Sequence, residues 1–426
     1  SHLGNVDTDW QSLIFRTAIS HDHNVSLSGN VKERMPYRAS VGWTSQQGTL
    51  HTSKYDRGTL DISISPNFFD NHLTVSLSGR GVYTNQKYAD SGAVGNAAFF
   101  NPTQDPYFRN EDGSIDFTPN TLLGVGPLSQ LYDVDNYGSA MRMIGNAQAD
   151  YKVHGFEALK FNLSLGLDLS QYNSHNGVNP GSFQAYADTE NRGIGQYSES
   201  VQFRRNQVLE FYANFNKEWG IHHLDVMAGY SWQHFYSYDR SVSYFNVTGE
   251  QKGDDSRYPA NRQESYLVSF YGRINYSIDS RYLFTFTLRN DASSRFSPQT
   301  RWGLFPSGAF AWNIKEEQFL KNVSPVSQLK FRLSAGQTGQ QEIGSNYPYM
   351  SIYSQSTDVY KQYLMGSDGY QFHYTPGAYD PDIRWETTTT YNAGIDFGFL
   401  NDRITGNVDV YLRQTKDLLN SVITPM

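Results

Sequence analysis

The chain has 426 residues, room for two or three ordinary domains or one large β domain, with 34 Lys and Arg against 42 Asp and Glu for a net charge of −8. That balance, with a pI near 5.8, gives a nucleic-acid partner no basic footing. Cysteine is absent, which excludes disulfides and thiolate zinc sites, and no window approaches the ~18 consecutive apolar residues of a membrane helix. Mean hydropathy is −0.59, a value that by itself suits a soluble protein.

Apolar and polar residues alternate with a period of two along the whole chain, as strands with unlike faces require. Early copies lie near 22–29, 36–46, 57–65 and 72–82, and another near 144–154. Phe161, Leu163, Leu165, Leu167 and Leu169 then oppose Asn162, Ser164, Gly166, Asp168 and Ser170. After a copy at 205–218, Leu224, Val226, Ala228, Tyr230 and Trp232 alternate with Asp225, Met227, Gly229, Ser231 and Gln233. Tyr266, Val268, Phe270, Ile274, Tyr276 and Ile278 share a parity, as do Tyr282, Phe284, Phe286 and Leu288. Next, Trp302, Leu304, Phe310, Trp312 and Ile314 oppose Gly303, Ser307, Ala309, Ala311 and Asn313, with Phe305 the exception. The pattern returns at 328–337, at 391–399 and from Ile404 to Leu412. Roughly fourteen strands are predicted by this rule, with no amphipathic helix longer than a short turn. One helical turn is expected in "KEEQFLKN" at 315–322.

The connections alternate in length. Short ones fall at 66–71, 155–158, 220–222, 279–280 and 401–403; long ones fall at 83–143, 172–204, 237–263 and 337–388, with lesser members at 47–56 and 291–300. A soluble sandwich has no reason to gather its long loops at one end, whereas an outer-membrane barrel has tight periplasmic turns and long outer loops. The apolar parity is nearly free of charge in mid-strand, and the opposite parity carries Ser, Asn, Gly, Thr and charges, as a wide polar lumen would. Trp43, Trp219, Trp232, Tyr282, Trp302 and Trp312 sit near strand ends on the apolar parity, where aromatic girdles belong. A soluble multi-sheet protein is the alternative that alternation leaves open.

Several segments resemble one family. "DTDWQSLIFRTAISHDHNVSLSGN" (7–30), "PYRASVGWTSQQGTLHTSKYDR" (36–57) and "DSGAVGNAAFFNPTQDPYF" (90–108) are similar to SusC/RagA-type TonB-dependent transporters of Bacteroidetes. So are "RNDASSRFSPQTRWGLFPSGAFAWNI" (289–314), "EEQFLKNVSPVSQLKFRLSAGQTGQQEIG" (316–344), "DIRWETTTTYNAGIDFGFLNDRI" (382–404) and "VDVYLRQTKDLL" (408–419). The resemblance implies an all-β fold, a transmembrane antiparallel barrel, 22-stranded in the family. It also implies an outer-membrane location, a plug, a TonB box that engages TonB, and a SusD-like surface lipoprotein as lid. On this reading residues 1–426 belong to the barrel domain, and plug, TonB box and final strands belong to a longer chain.

No catalytic signature stands against a transporter. "HDH" at 21–23 puts two imidazoles on one strand face without a third ligand in view, and "RNDASSRF" at 289–296 reads as a short loop closed by charge pairs. No cofactor and no metal is expected. The cargo is expected to be an oligosaccharide or a peptide, since the long loops are rich in aromatics that can stack on sugar rings. Candidate contacts are Phe99, Phe100, Asp105 and Tyr107 in the first long loop, with Asp90, Asn96, Asn101 and Gln104 as rim groups. In the last long loop they are Tyr347, Tyr349, Asp358 and Trp385, with Asp380 and Arg384 beside them. The alternative role for each aromatic is packing of loops onto each other and onto the lid.

Overall fold

The computed structural model describes residues 6–111, 113–119, 125–182, 184–185, 193–245, 261–355, 362–366, 369–372, 374–377 and 379–420. One antiparallel sheet dominates. Its strands, numbered along the chain, are β1 Ser20–Val31, β2 Met35–Gln47, β3 Lys54–Ile64, β4 Leu73–Lys87, β5 Val134–Lys152, β6 Leu159–Val178 and β7 Gln196–Trp219. They continue with β8 His222–Phe245, β9 Asn261–Ile278, β10 Tyr282–Ser293, β11 Trp302–Asn313, β12 Val326–Gln340, β13 Glu386–Phe399 and β14 Ile404–Lys416. Each strand pairs with its neighbours in sequence, so the sheet is a meander from β1 to β14, and its two end strands each keep one free edge. A two-residue strand, Asn67–Phe68, pairs with the start of β4.

The register carries the alternation across strands. Phe284 lies opposite Tyr276 on one side and Phe310 on the other, and Phe286 lies opposite Ile274. Leu165 lies between Ala147 and Leu209. The apolar parity is therefore continuous over the outer surface, where Phe286, Leu304 and Val410 are 52%, 57% and 71% exposed. The small polar residues of the opposite parity are the buried ones: Asn162, Ser231 and Ser269 are at most 5% exposed. This inverts the arrangement of a water-soluble protein and suits a sheet wrapped by lipid. No described helix is long and apolar enough to cross a membrane.

Two rows of rings bound the apolar band. One contains Trp219, His222, Tyr276, Tyr282 and Trp312, in which His222 stacks between Trp219 and Tyr276 at 5.8 and 5.9 Å. The other contains Trp232, Tyr266, Phe270 and Trp302, with Phe270 and Trp302 stacked at 6.3 Å. The rows are separated by ten residues both on β8, from His222 to Trp232, and on β11, from Trp312 to Trp302. At about 3.3 Å per residue and a tilt near 40°, ten residues rise about 25 Å, the height of the apolar band of an outer-membrane barrel.

Connections sort by end as the sequence predicts. At the end marked by Trp219 they are 32–34, 65–72, 153–158, 220–221, 279–281, 314–325 and 400–403. Asp279 and Ser280 both have positive φ, 51° and 53°, the two left-handed positions of a type I′ hairpin turn. The expected helical turn at 315–322 is a 3₁₀ turn, Ile314–Glu316, followed by one α turn, Gln318–Lys321. At the other end lie 48–53, 88–133, 179–195, 246–260, 294–301 and 341–385. The four long ones are shorter than expected because the strands run on: β7 and β8 have 24 residues each, against about ten needed to cross a bilayer. Above the outer ring row the outer face leaves hydrocarbon, apolar alternation fades, and sequence periodicity no longer marks the strand.

Two outcomes test this architecture. Phe284→Arg is expected to hinder assembly by roughly 2–4 kcal/mol and Thr285→Arg to be much milder, read by heat-modifiability on gels; equal effects would overturn the face assignment. Glu317, in the 314–325 turn, accepts from Tyr282 Oη at 2.6 Å, Trp312 Nε1 at 3.1 Å and Arg281 Nη1 at 3.2 Å. These donors, Tyr282 foremost, hold its carboxyl below the usual range. A depressed carboxylate stabilises at neutral pH and loses that contribution as pH falls through its folded pKa. The wild type should therefore lose heat resistance in acid more steeply than Glu317→Gln does.

Candidate functional site on the inner wall

Cargo crossing a barrel meets the polar parity and the loops at the outer end, so the site is sought there. Three short helices form a cap: α1 Trp10–Ile14, α2 Gly92–Phe99 and α3 Pro127–Tyr132. Asp9 caps α1 by accepting from the backbone N–H groups of Gln11 and Ser12. α2 runs for eight residues where no helix was predicted. Its sequence GAVGNAAF has no amphipathic stripe, and burial of Ala93 and Ala97 against Trp10, Ile14, Leu128 and Leu131 holds it instead. Asn96, expected as a rim group, lies inside this cap and donates to Val125 O at 2.7 Å.

The adjacent rings at the end of α2 part company. Phe100 is buried, its ring 4.4 Å from that of Trp10, whose Nε1 donates to Asn101 O at 3.1 Å. Phe99 is 92% exposed. Asp105 is exposed, and Tyr107 is half-exposed with its ring 5.8 Å from Phe117.

A second cluster lies where β11 and β12 separate, since their pairing stops at Ser307 and Gly336. Phe305, the exception on the polar parity, packs here with Phe296 and Trp385 at ring distances of 5.3 Å from Trp385 to Phe296 and 5.4 Å from Trp385 to Phe305. Trp385 is buried and donates from Nε1 to Arg301 O at 2.8 Å. A side chain at Gly303 or Gly339 would run into the rings of Phe305 and Trp385. Nearby, Arg295 pairs with Glu342 at 2.6 Å and holds that carboxyl below its usual range. "RNDASSRF" is not a loop throughout: Arg289–Ser293 belong to β10, where Arg289 pairs with Asp291 at 2.7 Å along the strand, and only the Arg295–Glu342 bridge ties the connection that follows. Tyr347 and Tyr349 are half-buried, and the Tyr347 hydroxyl accepts from Glu264 N at 3.2 Å. Asp358 lies outside the described residues.

The candidates therefore divide between the cap and the aromatic cluster. Between β5 and β8 the structure adds a cavity of about 670 Å³ that the loop-centred reading missed. Asp90, one of the expected rim groups, lines it. The rest is largely the polar parity of strand tops, Asn136, Asn176, Gln196, Ser198, Ser241 and Ser243, with Gln184 from a connection. Asp90 Oδ1 accepts from Gly92 N at 2.8 Å, Asn136 Oδ1 from Gly177 N at 3.2 Å, and Gln184 Nε2 donates to Ser129 O at 3.0 Å. Among the described residues that line it, amides and hydroxyls dominate, one carboxylate is present and there is no Lys or Arg. No alternation marks these positions in the sequence, and only the pairing of the tall strands brings them together. Beside it, Tyr88 meets Tyr172, hydroxyl to hydroxyl, at 3.2 Å; that contact and burial push its pKa up to about 12, so it stays a neutral hydroxyl.

Lower on the inner wall, charges come in pairs. Arg142 grips Asp168 through two bonds of 3.0 and 2.7 Å, and Arg332 bridges Asp396 and Asp409. Among the described residues no group of three or more His, Asp or Glu is arranged for a metal, and His21 and His23 lie exposed on β1 with rings 5.3 Å apart.

A meander of tall strands with apolar exterior, polar interior, two ring rows and loops gathered at one end defines a wall of an outer-membrane β-barrel. Residues 96–425 match the family described as "TonB dependent receptor-like, beta-barrel", and the chain belongs to that family of receptors and transporters, which are not enzymes. It is 38% identical to "TonB-dependent receptor SusC" of Bacteroides thetaiotaomicron over the whole of this chain and 44% of that protein. It is 29% identical to "TonB-dependent receptor P3" of Formosa agariphila over 98% of this chain and 42% of that one. The chain thus spans less than half the length of these relatives. Among solved structures, the "RagAB peptide transporter" superposes with a TM-score of 0.76 at 20% identity, covering 99% of this chain and 47% of that one. The ferric citrate transporter FecA in unliganded form gives 0.52 at 9% identity, covering 95% of this chain and 50% of that one.

Trp385→Ala should remove the ring on which Phe296 and Phe305 pack, at a local cost of about 3–5 kcal/mol. Limited proteolysis should then cut within 341–385 much faster than in wild type, while the barrel still migrates as folded. An unchanged cleavage rate would show that the cluster does not hold this connection.

Proposed function

We propose that this chain is part of a transporter that imports oligosaccharides across the outer membrane, powered through TonB and working with a SusD-like lipoprotein lid. The observation that carries the cargo class is the inner-wall cavity. Asn136, Asn176, Gln184, Gln196 and the serines supply donors and acceptors to sugar hydroxyls, and Asp90 adds one charged acceptor. Among its described lining residues none is a cation, so these groups favour neutral hydroxyls over a peptide's terminal carboxylate or acidic side chains. Phe99 and Tyr107, whose rings are open to solvent, are assigned stacking contacts with sugar or lid; Phe100, Tyr347, Tyr349 and Trp385 act by holding the loops. Asp105 and Asp358 are assigned rim contacts. The SusC likeness over the full chain supports the transporter class and its partners.

Calorimetry on the full-length transporter with its lid tests this against panels of neutral oligosaccharides and of peptides. An oligosaccharide is expected to bind with little dependence on salt, and Asn136→Ala with Asn176→Ala to weaken it by about 1–3 kcal/mol, the loss of hydrogen bonds from a polar site. Phe99→Ala should cost about 1–2 kcal/mol, the size of a stacking contact. Binding of peptides with no oligosaccharide bound would overturn the cargo assignment and leave the transporter class standing.

A further inference from the structure

The outer face of β7, β8 and β9 changes character just above the outer ring row. Trp232 and Tyr266 belong to that row, and His234 stacks on Tyr266 at 4.2 Å with the rings nearly parallel. Above them on β8 come Tyr236 and Tyr238, on the same parity as Trp232. Arg205 of β7 lies opposite Tyr236, and Arg262 of β9 lies opposite Tyr238. Each guanidinium leans onto the ring beside it, Arg205 at 5.3 Å from the Tyr236 centroid and Arg262 at 5.6 Å from that of Tyr238. Two cations thus flank one strand from opposite sides and converge on its tyrosines.

Among the described residues their charges are not paired. Elsewhere on the outer face, Lys54 pairs with Asp56 at 2.8 Å and Lys87 with Asp135 at 3.2 Å. Among the described residues, neither Arg205 nor Arg262 has a carboxylate within ion-pairing distance. Arg205 Nε is buried without a hydrogen-bond partner. Glu264, on the same face, is engaged by His234 Nε2 at 3.2 Å and by the Tyr266 hydroxyl at 3.3 Å. A guanidinium lying on an aromatic face keeps its in-plane N–H groups free for an oxyanion.

Height identifies the anion. Arg205 is four residues above the Trp232 level and Arg262 six, which at about 3.3 Å per residue and a tilt near 40° is about 10 and 15 Å. Ring girdles mark the boundary of hydrocarbon, so this is the layer of lipid headgroups in the outer leaflet. We propose that Arg205 and Arg262, seated on Tyr236 and Tyr238, form a site for the phosphate of an outer-leaflet glycolipid whose acyl chains lie on the apolar band below.

The test uses the full-length protein in detergent and native mass spectrometry, with phosphorylated lipid A, the same lipid dephosphorylated, and inorganic phosphate as probes. Wild type should retain phosphorylated lipid A at least tenfold better than the dephosphorylated lipid, and Arg205→Gln with Arg262→Gln should abolish that preference. Arg262→Gln alone touches an exposed side chain; it should lower retention several-fold with heat-modifiability unchanged, and it serves if the double variant assembles poorly. Equal retention of both lipids, or an undiminished preference in Arg262→Gln, would overturn the proposal. Displacement of the lipid by millimolar inorganic phosphate would overturn the lipid as the source of the anion.

Discussion

In hydrocarbon a backbone N–H or C=O without a partner has no water to turn to, and that constraint organises this chain. Within the apolar band every strand between β1 and β14 must pair on both sides, and the meander does so with neighbours in sequence. The outer parity must be apolar at each level of the band, so Tyr276, Phe284, Phe310 and Leu333 form one lateral row through the registers of four strands. The free edges of β1 and β14 are the places where this condition is not met within the chain.

Above the band the constraint relaxes, and other forces take over the same strands. Water satisfies the backbone there, so β7 and β8 can rise with polar residues on both faces. What then needs explaining is how long connections keep a shape. Two apolar knots do it, the cap around Trp10, Ile14 and Phe100 and the cluster of Phe296, Phe305 and Trp385, helped by the Arg295–Glu342 bridge. Both knots sit at the outer end, and the cap adjoins the cavity lined by Asp90 and the strand tops, where Gln184 donates to Ser129 O. Rigid strands thus set the polar positions of the inner wall, and the connections shape the mouth above them.

The inner wall handles charge by pairing it. Arg142 with Asp168, Arg289 with Asp291, and Arg332 with Asp396 and Asp409 leave little net charge along its middle. The outer face handles charge by excluding it from the band and allowing it above, where Arg205 and Arg262 stand on tyrosines. The two faces of one strand therefore recognise different things, a polar solute inside and a lipid surface outside.

Alternation in the sequence was enough to determine an all-β chain, the number of its main strands, the facing of nearly every residue within the band, and the sorting of short and long connections, while the choice of a barrel over a soluble multi-sheet protein came from the resemblance of whole segments. It could do so because lipid imposes a one-residue rule that is local and repeats at each strand. It even isolated Phe305 as an exception without saying why. The reason is tertiary: β12 parts from β11 at Gly336, and Phe305 fills that wedge against Trp385, a residue 80 positions away. The same holds for the rest of what only the folded chain decided. Phe99 and Phe100 are identical neighbours in sequence, and packing in the cap with Trp10 and its neighbours takes one inward and leaves the other in solvent. The cavity is assembled from four strand tops and two connections, each with an ordinary polar sequence. Where both faces of a strand meet water, periodicity carries no signal, and proximity of distant segments decides which polar groups become a site.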